Sequence, residues 1–192
     1  PEEKARAIID RMFEEAGWKV VDRDKYVPNM TAVSIREGLM VGNREADYLL
    51  FLNGKAVGVL EAKRIETDIN SDIVQEQARL YTRSCPKWCQ AWFPNIPLPL
   101  AYVANSRDLM FYDTRKSNSE FEYCKKIHTP KEVKKLLGLE DDYVGLPTLP
   151  PKGLRACQYE AITQLEQSFR NGENRALMVL ATGAGKTYTA CL

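Results

Sequence analysis

The run Asp47-Tyr48-Leu49-Leu50-Phe51-Leu52-Asn53-Gly54-Lys55-Ala56-Val57-Gly58-Val59-Leu60-Glu61-Ala62-Lys63 decides the fold. Tyr48 to Leu52 and Ala56 to Ala62 are two aliphatic-rich segments of strand length, and Asn53-Gly54-Lys55 between them is a hairpin signal. Continuous apolar character predicts strands buried on both faces. The charges stand at the far end of this hairpin: Asp47 opens it, and Glu61 and Lys63 close it. Alternation along a strand puts Glu61 and Lys63 on one face. Register decides whether Asp47 joins them. A two-residue turn sets Asp47 opposite Leu60 and sends Glu61 to the other face; a three-residue loop, or an equivalent bulge, sets Asp47 opposite Glu61. We predict the second arrangement.

In that register two carboxylates lie on the order of 5 Å apart, the spacing of opposed strand residues. A hard cation with oxygen ligands removes their repulsion, and Mg²⁺ suits one or two carboxylates with its other positions left to water and phosphate. The expected ligands are Asp47 and Glu61, with the Ala62 carbonyl as a further candidate. Such an ion activates water and stabilises charge at a phosphodiester, and Lys63 can orient that water or neutralise the phosphate. The competing reading is that these are solvated strand ends with Lys63 as a salt-bridge partner. Against it, the three charges interrupt segments that otherwise read as buried, where charges must be paired or bind metal.

Beyond the hairpin, Ala5, Ile8, Ile9, Met12, Phe13 and Ala16 recur at helical intervals, and Gly17 supplies the stop. Trp18 to Val21 reads as a short strand, whereas 28 to 46 fits helix or strand and stays open. A helix is expected from Asp68 to Ser84, with Ile69, Ile73, Gln77, Leu80, Tyr81 and Ser84 on one side, so that Gln77 lies in an apolar stripe. Further strands are expected at Leu98 to Ala104 and Leu109 to Asp113, and a helix at Lys131 to Leu137. The stretch 140–153, with Pro147, Pro150 and Pro151 and no periodicity, separates a domain over 1–139 from a differently patterned region over 154–192. There a helix is expected around Arg155 to Phe169, then an apolar strand, Arg175 to Leu180.

Asp47, Glu61-Ala62-Lys63 and Gln77-Ala78-Arg79-Leu80-Tyr81 together resemble the Asp, Glu-x-Lys and Gln-x-x-x-Tyr motifs of PD-(D/E)xK nucleases, in the branch with RecB-type exonucleases and type I restriction subunits. The wording of Arg44 to Leu50 and of Gly58 to Lys63 is especially similar to the type I subunit. The resemblance implies that Asp47 and Glu61 bind Mg²⁺, that Lys63 assists the attacking water, and that Gln77 and Tyr81 position the cluster or the DNA. It also implies a first-helix carboxylate, for which Glu3 is the candidate, with Glu2 or Glu14 as substitutes. Ala46 stands where the family name has proline, a departure that leaves the ligands intact.

Leu180 to Thr187 follows the G-x-x-x-x-G-K-[ST] phosphate loop except that Leu180 holds its first glycine position. Backbone N–H groups around Gly183 to Lys186 are expected to cradle phosphate, Lys186 to meet the β and γ phosphates and Thr187 to reach Mg²⁺. Ala181 to Thr187, including Thr182, Gly183 and Gly185, resembles motif I of superfamily 2 helicases, and Leu154 to Ile162 resembles their adenine-sensing Q motif, which implicates Gln158. The sequence stops five residues after Thr187, so the chain as it stands is expected to lack ATPase activity. Nuclease first and motor second fits type I restriction subunits better than type III ones. The fold expected is therefore α/β: a nuclease core of mixed sheet flanked by helices, followed by a truncated RecA-like lobe.

Composition is permissive and does not point to nucleic acid by itself. The 192 residues are 44% hydrophobic and 28% charged, with a net charge of +1, so a DNA reading rests on site chemistry rather than bulk charge. No apolar run approaches the roughly 20 residues of a membrane span, and five irregularly spaced cysteines fit reduced cytosolic thiols. Cys85 with Cys89, or Cys124 with His128, lacks the second pair a structural zinc site needs. No cysteine precedes Asp47 to hold the iron-sulfur cluster of some related nucleases. The run Lys125, Lys126, Lys131, Lys134, Lys135 reads as a solvated basic face, and Trp88, Trp92 and Phe93 as filling beneath a loop. By resemblance, the partners are double-stranded DNA and the modification and specificity subunits of a restriction complex, and ATP serves the complete protein. Two rivals stand beside this reading. A DNA-repair helicase-nuclease is separated from it by the chain's continuation or by a methyltransferase gene nearby. A non-catalytic assembly module of the same fold is disfavoured by the intact Asp47, Glu61 and Lys63.

Overall fold

The computed structural model describes residues 2–27, 30–85, 88–93, 96–117, 120–139, 149–170 and 176–191. The chain divides into two compact units, Pro1–Gly138 and Leu139–Leu192.

The first unit opens with helix α1 (Glu2–Glu15), then strands β1 (Lys19–Asp22), β2 (Ala32–Met40), β3 (Arg44–Leu52) and β4 (Lys55–Ala62). Helix α2 (Asp72–Thr82) follows, then β5 (Gln90–Ala91), β6 (Leu100–Ala104), β7 (Leu109–Asp113), β8 (Glu122–Tyr123) and helix α3 (Pro130–Leu137). These strands join one sheet in the order β1-β2-β3-β4-β6-β7-β8, with β5 pairing the start of β4. The sheet is mixed: β1 is parallel to β2 and β4 to β6, and the remaining neighbours along that order are antiparallel. The ambiguous stretch 28–46 therefore supplies a strand, β2, whose Val33 and Ile35 are fully buried.

β3 and β4 form the centre, and their alternation assigns the two faces. Leu49 and Phe51 of β3 and Val59 of β4 join Val74, Ala78 and Tyr81 of α2 in one apolar cluster. Tyr48, of opposite parity, meets Phe13 of α1 at 5.1 Å between ring centroids and donates its hydroxyl to Asp10 at 2.8 Å. Residues from Tyr48 to Leu52 are at most 1% exposed, as a strand covered on both faces requires. Close packing on β4 also explains Gly58. A Cβ there would stand 2.7 Å from the Leu100 carbonyl oxygen and 2.8 Å from the Leu100 Cβ.

The turn between β3 and β4 differs from the longer loop. Leu52 pairs with Lys55, leaving a two-residue turn whose Asn53 and Gly54 have φ values of 49° and 76°, the left-handed pair of a type I′ hairpin. A bulge then restores the other register: Phe51 pairs with Ala56 but Leu50 with Gly58, so Val57 is the extra residue. From there Leu49 faces Val59 and Tyr48 faces Leu60, which brings Asp47 level with Glu61.

The buried side of α2 is rotated from the expected one. Val74, Gln75, Ala78, Tyr81 and Thr82 are buried, while Ile73 is 84% and Leu80 40% exposed. The glutamine within the stripe is Gln75; Gln77 sits at its border. The helix begins at Asp72 rather than Asp68, and the residues it sets against the sheet, Val74 and Ala78, are smaller than the Ile73 it leaves in solvent.

The second unit holds helix α4 (Ala156–Arg170) and the short helix α5 (Lys186–Ala190). The apolar strand expected over 175–180 does not form in its described part, 176–180, where Leu177 is 89% and Val179 80% exposed. Hydrophobic pattern alone does not make a strand; a ladder needs neighbours, and this unit offers no second strand among its described residues. Of the expected interdomain stretch, 140–148 lie outside the described residues. Among the described residues, no helix is long and apolar enough to cross a membrane.

Candidate functional site

At the end of the central hairpin the structure brings five of the expected side chains together. Asp47 Oδ2 accepts the backbone N–H of Ala62 at 2.8 Å, which ties the start of β3 to the end of β4. Lys63 lies one residue past β4, and its N–H donates to the Ala104 carbonyl at 2.7 Å, so the strand direction continues and keeps Glu61 and Lys63 on one face. The Lys63 ammonium donates to Glu61 Oε1 at 2.7 Å and to Gln77 Oε1 at 2.9 Å. Gln77 Nε2 in turn approaches the Tyr81 hydroxyl at 3.5 Å, one turn along α2.

Glu61 is the most constrained member. It is 4% exposed, and while Oε1 is held by Lys63, Oε2 is buried with no hydrogen-bond partner. Burial, with the negative charge of Asp47 added, pushes its carboxyl up to about 7, against the opposing pull of Lys63. A buried carboxylate oxygen without a donor is costly as it stands, and a hard cation is one group that relieves it. The oxygen donors at hand, Asp47 and Glu61, are the set that Mg²⁺ accepts alongside water and phosphate. Among the described residues no group of three or more His, Cys, Asp or Glu side chains gathers as a metal site.

The other flank of Asp47 was not singled out in the sequence. Arg6, on α1, places Nη2 3.7 Å from Asp47 Oδ1 and donates from Nη1 to Glu37 Oε1 at 2.7 Å. Glu37 sits on β2 level with Asp47, between the pairs Arg36 with Tyr48 and Gly38 with Ala46. Its φ of 53° is a left-handed conformation costing a non-glycine residue roughly 1–3 kcal/mol, which persists only where the surroundings impose it. Here Arg6 binds its side chain and Arg23 Nη1 donates to its carbonyl at 3.2 Å. The sequence signal for Arg6 was slight: a cation on the first helix with no motif around it. Of the first-helix carboxylates, the side chains of Glu2 and Glu3 lie outside the described residues, and Glu14 is exposed.

In the second unit, Gln158 is 4% exposed and braces the phosphate-loop sequence. Its Nε2 donates to the Ala184 carbonyl at 3.0 Å, and its Oε1 accepts the Arg155 N–H at 3.0 Å. Arg155 Nη1 donates to the Gly183 carbonyl at 2.9 Å. Gly183 and Gly185 both have φ of 82°, and a Cβ on Gly185 would stand 2.6 Å from Gln158 Nε2. Lys186 reaches back toward the Leu180 and Ala181 carbonyls, 3.4 Å from each, and Thr182 and Thr187 are exposed.

Outside the site, the aromatic group around Trp88 is packed, whereas the contact made by Lys126 is an exposed ion pair. Trp88 lies 6.0 Å from Phe51 and 6.4 Å from Tyr26 between ring centroids and donates to the Leu39 carbonyl, and Lys55 sits over the Trp92 ring. Lys126 pairs with Glu132 at 2.9 Å.

Fold and site define a mixed α/β protein with a buried carboxylate-lysine cluster at one end of its central hairpin. Residues 30–137 match the family model for the type I restriction enzyme EcoKI endonuclease subunit second domain, and residues 151–192 match that for the type III restriction enzyme res subunit. The chain belongs to the type I restriction enzyme endonuclease subunit family. It is 24% identical over 240 aligned residues to the EcoKI endonuclease subunit of Escherichia coli K12, covering 98% of the chain and 20% of that relative. It is 29% identical over 166 residues to the EcoAI endonuclease subunit of Escherichia coli, covering 77% of the chain and 18% of that relative. The chain thus spans about a fifth of the length of these relatives. A solved fragment described as an HsdR subunit of a type I restriction enzyme from Vibrio vulnificus YJ016 is 24% identical, with 96% of this chain and 35% of that one covered and a TM-score of 0.46.

Proposed function

We propose that this chain carries the Mg²⁺-dependent nuclease of an ATP-driven type I restriction subunit, with a PD-(D/E)xK core in its first unit and the start of a RecA-like motor lobe in its second. One observation carries the reading: the buried, unpartnered Oε2 of Glu61 stands in a cluster with Asp47, Lys63 and Gln77. Apolar packing gives no reason to bury that oxygen, and a metal site does.

Asp47 and Glu61 hold the ion, each from a different strand, so the hairpin register fixes their separation. When bound, Mg²⁺ supplies Lewis-acid stabilisation of the charge that develops on a phosphodiester under attack by water. The Ala62 N–H orients the Asp47 carboxylate by holding its Oδ2. Lys63 carries the positive charge nearest Glu61; turned toward the substrate, its ammonium orients the attacking water or offsets the phosphate charge. Gln77 fixes where that ammonium sits, and Tyr81 steadies Gln77. The substrate is duplex DNA, and sequence recognition belongs to the specificity and modification subunits of a cytoplasmic complex. In the second unit Lys186 and Thr187 take the phosphates and Mg²⁺ of ATP, and Gln158 takes the adenine end of the site while bracing the loop. Matches to restriction-enzyme family models over both units support this reading over a repair helicase-nuclease.

The test is Asp47→Ala in the full-length subunit assembled with its partners. DNA cleavage should be lost while ATP hydrolysis is retained. Unimpaired cleavage would remove the nuclease reading.

A further inference from the structure

We propose that Arg6 is a DNA phosphate-binding residue of the nuclease site, a second cation that brackets the carboxylate pair on the side away from Lys63. The proposal rests on the nuclease reading and adds a substrate contact that its motifs do not contain.

The two cations near the carboxylates differ in what they have left to give. Lys63 is engaged by Glu61 at 2.7 Å and Gln77 at 2.9 Å, with 20% of its side chain exposed. Arg6 has 39% of its side chain exposed, and its one close side-chain partner among the described residues is Glu37 at 2.7 Å. Its approach to Asp47, at 3.7 Å, is too long for a hydrogen bond. A guanidinium has five N–H donors in a planar fork, so one bond to Glu37 leaves donors for the paired oxygens of a phosphate. The neighbouring guanidiniums are more fully committed. Arg36 makes a two-pronged contact to Asp10 and a third bond to Asp22, and Arg23 donates to Glu45 and to the Glu37 carbonyl.

The anchoring is also what a substrate contact needs. A long flexible side chain loses less on binding when it is held in place beforehand. Glu37 holds Arg6 from a strand position level with Asp47, in a backbone conformation that a non-glycine residue seldom adopts. A cleft of about 340 Å³ opens beside it, lined by Arg6, Arg23, Arg36 and Glu37 together with Asp22 and Asp24. Arg6 lines this cleft and also stands 3.7 Å from Asp47, so a backbone phosphate bound by Arg6 leaves the next phosphate along the strand near the carboxylate pair.

The experiment compares wild type, Arg6→Ala, Arg6→Lys and Asp47→Ala in the full-length subunit within its complex. Plasmid cleavage is followed over a range of NaCl and of MgCl₂, with ATP hydrolysis as the control for folding. For Arg6→Ala we expect kcat/KM to fall about tenfold to a hundredfold, the worth of one hydrogen bond to a charged group. The log–log dependence on salt should flatten by about 0.9, one phosphate contact fewer. Arg6→Lys should restore the salt slope but only part of the rate, and the half-saturating Mg²⁺ concentration should fall in Arg6→Ala, which loses a cation 3.7 Å from Asp47, and change less in Arg6→Lys. A wild-type salt slope in Arg6→Ala overturns the proposal. So does a shifted Mg²⁺ requirement with the slope intact, which would make Arg6 a positioning residue for Asp47. If Asp47→Ala cleaves normally, the nuclease reading itself fails and this proposal with it; if Asp47→Ala is inactive, a negative result at Arg6 counts against Arg6 alone.

Discussion

Glu61 concentrates the tension of the site in one side chain. Its folded carboxyl, pushed up to about 7 from the ordinary 4.5, binds a proton more tightly than in the unfolded chain. The metal-free fold is therefore expected to lose stability as pH climbs from about 4.5 to about 7, with no further loss from this group above that. Replacing it by an uncharged isostere removes the penalty: Glu61→Gln should stabilise the metal-free protein by about 3 kcal/mol at pH 8 and by little at about pH 4. Urea titrations in EDTA, followed by the fluorescence of Trp18, Trp88 and Trp92, measure it; equal effects at both pH values would show that Glu61 is not destabilised in its charged form. Gln77 has a smaller part. Gln77→Ala leaves Lys63 with Glu61 as its one remaining bond of the two described, and cleavage should drop roughly tenfold with little change in folding, as removal of a hydrogen bond to a charged group implies. A wild-type single-turnover rate would leave Gln77 without the positioning role.

The central hairpin shows how far local pattern reaches. Strand length, burial on both faces and the presence of a turn within Asn53-Gly54-Lys55 are legible because each depends on neighbours in the sequence, whereas the turn has two residues and not the expected three. The bulge at Val57 is not, since no residue type marks it; the need to level Asp47 with Glu61 implied some irregularity and left its place open. The buried face of α2 is misread from sequence because Ile73 and Leu80 outweigh Val74 and Ala78 in any count of apolar residues, whereas packing against a sheet selects by fit. Similarly, Glu37 looks ordinary in the sequence and is conformationally exceptional in β2. The close contact of β4 with β6 gives a direct check on the element. Gly58→Ala forces a Cβ against Leu100 and should cost about 1–3 kcal/mol in a urea titration, the usual range for overpacking. An unchanged midpoint would mean that β4 and β6 are less tightly apposed than the geometry shows.

Across the whole chain, the two units differ in how completely they are specified. The first brings strands from the full length of 19–123 into one sheet, so its core and its candidate site are built from residues it contains. In the second, the turn at Gly183 to Gly185 is braced by Gln158 and Arg155, yet the apolar run before it pairs with no strand among the described residues. A turn at these glycines was legible and the strand was not, because a loop conformation rests on local glycines while a ladder rests on partners elsewhere in the chain. The proposed nuclease requires Asp47 and Glu61 to share one divalent ion. Anomalous diffraction from crystals of the chain soaked in Mn²⁺ measures this directly: a peak is expected between the two carboxylates, bonded to an oxygen of each, and a soaked crystal with no peak there would contradict it.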